Sequence, residues 1–506
     1  MTIQDPQRVE GDGAGPGRDV RRNMSAFGLA QIAVRLIGLT VVIPVARLLS
    51  AEDFGRYTVA LALASMLNLL VQSGMGGYLV RSGTQAPERL GVVLGHVLFL
   101  QSLVGLAAIA ASGLIGFLLN YDAETLVTTV LLTAAAVLVT VNQSQMAVLV
   151  SLKRVKITAA FAAAQAFVLA VLTVLPVLAG AGPVGIGVAN LATAVVSFPI
   201  AQALVRRHWT LKVRFQREGL RETFGVSTAY AANKVGQAIF TYIDAVLIQA
   251  INGNAAAAQY GVAYRLNVAI RMFPGIYSES LQQPAARLAK TDRAGLAELL
   301  NRAASQLFIL AVPLVLGGVV LAEPLIRLLF GDRYASSGPI LAVLLLTLLV
   351  QFPRAAVIVS ALAVGLERRV AVAYAVTIVV NLSANAILIP AYGPMGAAIA
   401  MVISVPVFGL FMARQLGKVG IALRVDARWG KAVVAGIVMV GVVWLLADLP
   451  LIIPILVGGV VYLGILVALD TLDEADLAMI PGGDRLAWTV RSRRKVLKHA
   501  PKAGED

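Results

Sequence analysis

Apolar runs of twenty or so residues alternate with short polar breaks from about residue 24 almost to the end of this chain. A helical residue advances the axis by about 1.5 Å, so each run reaches across the roughly 30 Å hydrocarbon core of a bilayer. The pattern predicts spans at about 24–47, 56–80, 90–119, 125–150, 157–180, 184–205 and 222–250, then 258–286, 303–322, 339–365, 370–390, 394–414, 430–447 and 450–469. The expectation is an all-α polytopic membrane protein of about 14 transmembrane helices. Residues 1–20 are rich in Gly, Pro and Asp and carry no apolar run, which predicts a disordered tail rather than a cleaved signal peptide.

Composition strengthens this reading. Of 506 residues, 58% are hydrophobic and only 14% charged, with a mean hydropathy of +0.83, far from the balance of an ordinary soluble domain. The net charge of +15 does not indicate nucleic acid, because the basic residues fall in breaks between spans. They report orientation instead. Arg18, Arg21 and Arg22 precede span 1; Lys153, Arg154 and Lys156 follow span 4; Arg206 to Arg221 follow span 6; Arg368 and Arg369 follow span 10; and Arg414 to Lys431 follow span 12. All fall on one side of a fourteen-span count, with the tail bearing Arg491, Arg493, Arg494, Lys495 and Lys498. That side is predicted to be cytoplasmic, with both termini inside.

The segment from Phe27-Gly28 to Phe54-Gly55-Arg56-Tyr57 is echoed from Phe224-Gly225 to Tyr260-Gly261, and Gly182-Pro183-Val184-Gly185 is echoed by Gly393-Pro394-Met395-Gly396. Both echoes are offset by six spans, so the halves share one orientation and a pseudo-twofold along the membrane normal is expected. The organisation predicted is a cytoplasmic tail (1–21), an N-lobe of helices 1–6 (22–205), a basic linker (206–221), a C-lobe of helices 7–12 (222–414), helices 13–14 (430–470) and a basic cytoplasmic tail (471–506).

Charges within the spans are the candidate chemistry. They are Arg35, Lys234, Asp244, Arg265, Arg271, Glu279 and Arg354, five cations against two anions. Lys234 and Asp244 are ten residues apart, about 15 Å along one helix, and cannot neutralise each other. Burying five unpaired cations costs on the order of 15 kcal/mol, more than a typical fold's net stability, so a hydrated cavity between the halves is expected. Its positive surplus favours an anion, and guanidinium groups suit bidentate binding of phosphate. Asp244 is read as a residue that tunes the cavity or couples transport to an ion. Arg56, Arg354 and Glu279 are further cavity candidates, with structural ion pairing or snorkelling as the plainer reading of Glu279 and Arg354. Neutral polar residues such as Gln237, Asn381 and Asn385 share these spans and suit helix-to-helix hydrogen bonds or a sugar path. There is no cysteine, and His96, His208 and His499 are scattered, so no metal or other cofactor is expected. No phosphate-binding loop or nucleophile elbow occurs, and no loop is long enough for a catalytic domain, which predicts a non-enzyme.

Arg22-Asn23 before span 1, the run Ala46-Arg47-Leu48-Leu49-Ser50-Ala51-Glu52-Asp53-Phe54-Gly55-Arg56-Tyr57, and Tyr260-Gly261-Val262-Ala263-Tyr264-Arg265 carry a resemblance. Over about residues 22–470 the chain resembles bacterial O-antigen and exopolysaccharide flippases of the multidrug/oligosaccharidyl-lipid/polysaccharide exporter superfamily. The resemblance implies an inner-membrane transporter that moves polyprenyl-pyrophosphate-linked oligosaccharide from the cytoplasmic to the periplasmic leaflet for lipopolysaccharide or exopolysaccharide biosynthesis. It implies membrane lipids, and a polymerase and glycosyltransferases of the same pathway, as partners. It points to Arg35 and Arg265, then Lys234 and Arg271, as the residues that handle pyrophosphate. Span 1 has no acid beside Arg35, which departs from ion coupling through that helix. A peptidoglycan lipid-precursor flippase and a cation-coupled multidrug exporter are the alternatives; the exporter is expected to place carboxylates well inside the first six spans, where this chain has none.

Overall fold

A computed structural model describes residues 38, 40–72, 74–209 and 219–472, the side chains of 221–223 and 226–233 excepted. The helices are α1 (40–48), α2 (Ala51–Gln72), α3 (Met75–Gln85), α4 (Leu90–Leu118), α5 (Ala123–Ser151), α6 (Val155–Leu178), α7 (Gly182–His208), α8 (Leu220–Asn252), α9 (Asn254–Ile270) and α10 (Met272–Thr291). Then follow α11 (Arg293–Phe330), α12 (Ser337–Leu346), α13 (Leu348–Ala363), α14 (Glu367–Tyr392), α15 (Pro394–Lys418), α16 (Ala427–Leu445) and α17 (Ile452–Ala468). No strand occurs among the described residues. Hydrocarbon offers the backbone no hydrogen-bond partners, which leaves the helix as the form that satisfies its own amides.

Eleven helices or joined helix pairs are long and apolar enough to cross a bilayer among the described residues, with α2–α3 and α12–α13 each counting once. The shorter apolar α17 is a further candidate, and the α9–α10 pair and α1 (40–48) fall where the sequence predicts spans 8 and 1. The chain is therefore a multi-pass membrane protein. Its exposed surface agrees: α6 leaves Phe167, Val168, Val171, Leu175 and Leu178 bare, an apolar face wide enough to demand lipid.

The chain divides into two compact units, the first holding Met1–Leu49 and Leu63–Lys234, the second Ser50–Ala62 and Val235–Asp506. In the first, α5 packs along α7 and α4. Small residues let the backbones approach, since a methyl group on Gly105 would lie 2.4 Å from Val137, as expected where dispersion rather than water expulsion holds helices together. Asn68 accepts a 2.8 Å bond from the Thr140 hydroxyl, and the Asn142 amide donates to Ala194 O at 3.3 Å. Met75, Leu79, Leu94, Met146, Leu149 and Trp209 form its apolar cluster.

In the second unit, α11 runs 38 residues, about 57 Å, well beyond a bilayer core. It starts from Asp292, whose carboxylate caps Gly295 N at 2.9 Å, and its middle packs against α16 and α17 through Phe308, Val312, Met439, Val443 and Tyr462. At its start, Asn301 bonds Ala422 O and Arg424 N, and the Ser305 hydroxyl donates to Asp426, the cap of α16.

Candidate functional site

The expected single span 258–286 is two helices, α9 and α10, joined at Arg271. Pro274 explains the break: it has no amide proton for the carbonyl of Ile270, and its ring crowds that carbonyl. The expected span 339–365 is likewise broken, at Thr347 between α12 and α13. Here the Thr347 hydroxyl takes Leu344 O at 2.5 Å, and the buried Asn267 amide of α9 donates to the same carbonyl at 2.9 Å. A side chain from one broken helix thus satisfies the open end of the other.

Just past these breaks lies a cavity of about 570 Å³ walled by α8, α10, α13 and α14, within the usual size range of ligand sites. Arg271 and Arg354 both line it, with Gln237, Ser278, Gln282, Gln351 and Tyr374. None of the described residues lining it is acidic. The guanidinium of Arg354 lies 5.0 Å from the ring of Phe408, which in turn packs 4.8 Å from Tyr374. Its Nη1 is buried without a hydrogen-bond partner among the described residues. Gln351 is oriented by the bond from its Nε2 to Thr347 Oγ1 at 2.8 Å. Two cations, amides and no counter-anion make a chamber suited to an anion that carries hydroxyl groups.

Asp244 belongs to a different cluster. Its carboxylate is buried and accepts a 2.9 Å bond from the Tyr260 hydroxyl and a 2.7 Å bond from Asn385 Nδ2. Asn385 also donates to Asn381 Oδ1 at 3.0 Å, and Asn381 donates to the Ser404 hydroxyl at 3.3 Å. The network crosses α8, α9, α14 and α15, and Asp244 is not among the cavity-lining residues.

Arg265 is set apart as well. Its guanidinium stands 5.0 Å from the rings of both Phe54 and Tyr57, and both Nη atoms are buried without a hydrogen-bond partner among the described residues. Phe54 packs 5.8 Å from Tyr334, completing an aromatic wall. Around it the start of α2 is held on α9: Asn254 donates to Glu52 at 2.6 Å, and Gly55 touches the Asn254 backbone so closely that a methyl group would lie 1.9 Å from its carbonyl oxygen. Arg56 pairs with Asp53 at 2.9 Å. Outside the crossings, burial pushes the Tyr334 hydroxyl up to about 12, against the opposing charges of Arg333 and Arg265.

Of the cations read from sequence, the structure brings Arg271 and Arg354 to one cavity and places Arg265 in the aromatic clasp. Arg35 lies outside the described residues. Lys234 is half-buried on α8 at the end of the first unit, and Glu279 is exposed on α10 and does not line the cavity. Gln351, Gln282 and Tyr374 line the cavity as well, and the charge pattern of the spans does not mark them. Gln351 carried a usable signal, being a polar residue three positions before Arg354 and hence on its helix face.

Residues 44–339 match the model of a family described as polysaccharide biosynthesis protein. The chain is 22% identical over 225 residues to the probable low-salt glycan biosynthesis flippase Agl15 of Haloferax volcanii, covering 44% of this chain and 48% of that protein. It is 26% identical over 183 residues to the probable flippase AglR of the same organism, covering 35% and 38%. The matched stretches thus span half or less of these curated relatives. Among solved structures, the lipid II flippase MurJ in an inward closed conformation shares the fold with a TM-score of 0.68 at 18% identity, over 87% of this chain and 97% of that one. An inward-facing multidrug resistance MATE family transporter gives 0.62 at 16% identity, over 76% and 95%.

Proposed function

The chain belongs to the polysaccharide biosynthesis protein family, and from that premise we propose that it is a flippase for polyprenyl-pyrophosphate-linked oligosaccharides. In this reading it moves them from the cytoplasmic to the periplasmic leaflet of the bacterial inner membrane by alternating access, with both termini cytoplasmic. The observation that carries the proposal is the cavity lined by Arg271 and Arg354 and, among the described residues, by no acid. A pyrophosphate brings at least two negative charges and several acceptor oxygens, and two guanidinium groups meet both requirements with paired N–H bonds. The amides of Gln237, Gln282 and Gln351 offer both donors and acceptors to sugar hydroxyls. Arg35 and Lys234 remain candidate phosphate ligands on the sequence reading alone. Arg265, boxed by rings, serves the clasp between α2 and α9.

The work is transport, not bond making. Outward movement of a head carrying two negative charges is favoured by about 2.3 kcal/mol per charge per 100 mV, inside negative. Asp244, buried apart from the cavity among Tyr260 and Asn385, is assigned to ion coupling. The test is flipping of a fluorescent polyprenyl-pyrophosphate oligosaccharide in proteoliposomes, with Arg271→Gln and Asp244→Asn. Arg271→Gln is expected to raise the half-saturating substrate concentration at least tenfold, and Asp244→Asn to remove the response to an imposed ion gradient while leaving that concentration alone. Wild-type saturation in Arg271→Gln would sink the proposal.

A further inference from the structure

The cavity that holds the arginine pair has two unlike walls. On α13, Arg354, Ile358 and Leu362 follow at four-residue intervals, flanked by Val359 and Ala363, and all line the cavity. Residues four apart share a helix face. Below the guanidinium this face is therefore a continuous apolar strip, about 12 Å long from Arg354 to Leu362. On α10 the lining residues are Pro274, Gly275, Ser278, Gln282 and Ala286, small or polar at matching intervals beyond the proline. One chamber thus presents cations at one end, hydrocarbon along one side, and amide and hydroxyl groups along the other. A free nucleotide or inorganic anion has no use for the apolar strip; a purely hydrophobic guest has none for Arg271 and Arg354, whose burial without an acid is costly.

We propose that the Ile358–Leu362 strip seats the first isoprenoid unit of the substrate, so that the cavity recognises a prenyl pyrophosphate as a single group, with the sugar directed along α10. The inference rests on the flippase reading above and adds to it a hydrocarbon subsite inside the anion cavity. The allylic end of the prenyl chain runs along α13 from the phosphate held at Arg354, and the sugar phosphate bond faces Ser278 and Gln282. Selectivity then falls on the lipid–phosphate junction, which every substrate of the pathway shares whatever its glycan.

The test uses the full chain in detergent micelles, with inorganic pyrophosphate and geranyl pyrophosphate as probes and geraniol to correct for partition into the micelle. Burying about four carbons of the prenyl group favours geranyl pyrophosphate over pyrophosphate by on the order of a hundredfold. In the double variant Ile358→Ala/Leu362→Ala the preference is expected to fall to about tenfold or less. Ile358→Phe, which fills the strip instead of emptying it, is expected to lower it as well. Equal affinity for the two probes in the native chain, or an unchanged preference in both variants, overturns the subsite. Arg354→Met tests the underlying reading separately: if it binds pyrophosphate as the native chain does, the anion assignment fails, whatever the prenyl preference.

Discussion

Replacing Arg354 by Met is expected to make the protein more stable and less able to bind its ligand. A charge held at mid-helix in a bilayer costs about 2.5 to 3.5 kcal/mol. The cation–π contact with Phe408, at 5.0 Å, returns about 0.5 to 2 kcal/mol, and Nη1 gains no hydrogen bond among the described residues. Arg354 therefore costs the empty protein a net of roughly 0.5 to 3 kcal/mol. Methionine has a similar length, removes the charge, and sets a sulfur against the same ring for about 0.3 to 1.5 kcal/mol. The expected gain is about 1 to 4.5 kcal/mol, read as a raised unfolding midpoint in micelles followed by tryptophan fluorescence. Binding moves the other way. Each hydrogen bond to a charged group is worth about 1.5 to 3 kcal/mol, so losing one or two lowers pyrophosphate affinity by roughly tenfold to ten-thousandfold, measured by titration calorimetry. A fall in stability would mean that Arg354 anchors the fold, and an unchanged affinity would mean that the cavity is not the anion site. Either result refutes the reasoning.

Two further outcomes test the second unit. Gly55→Ala places a methyl group 1.9 Å from Asn254 O, a backbone atom that cannot step aside; overpacking of about 1 to 3 kcal/mol should outweigh the roughly 1 kcal/mol that alanine adds to a helix. Gly441→Ala in α16, with nothing within 4 Å of the new methyl, is expected to be neutral or stabilising, and equal unfolding shifts in the two variants would refute the close approach. Burial raises the Tyr334 hydroxyl from 10.0 to about 12, so its contribution to stability is complete below pH 10 and is lost as the pH rises through about 12, because the unfolded chain releases the proton first. Tyr334→Phe should flatten that part of the alkaline unfolding profile, and an identical slope in the two proteins would count against it.

The spans were legible because bilayer thickness imposes one repeated length, and each polar break is visible without knowing what lies beside it. The intramembrane charges at 244, 265, 271 and 354 were equally plain against their apolar surroundings. Their company was not. Arg265 lies against Phe54 and Tyr57, some two hundred positions earlier, and no periodicity in either helix announces the meeting. Asp244 drew no arginine but Tyr260 and Asn385, and two of the neutral residues noted in the spans, Asn381 and Asn385, proved to be its network. The hydropathy pattern runs on through span 8 although Pro274 stands in it; the break falls at Arg271 because proline disturbs the turn before it. The break at Thr347 carries a weaker mark, a threonine whose hydroxyl and amide both donate to Leu344 O, and the bond from Asn267 of another helix has none.

Those two breaks give the cavity a mechanical character. Arg271 sits at one joint, and Arg354 lies two turns beyond the other, while a single bond from Asn267 to Leu344 O pins the joints together. Two like charges on pivots push outward when the chamber is empty, and an anion between them reverses the sign of that push. Under the flippase proposal the cargo is its own actuator: the work of bending the two helices is drawn from the grip on the phosphate, and a guest without that charge leaves the pivots sprung.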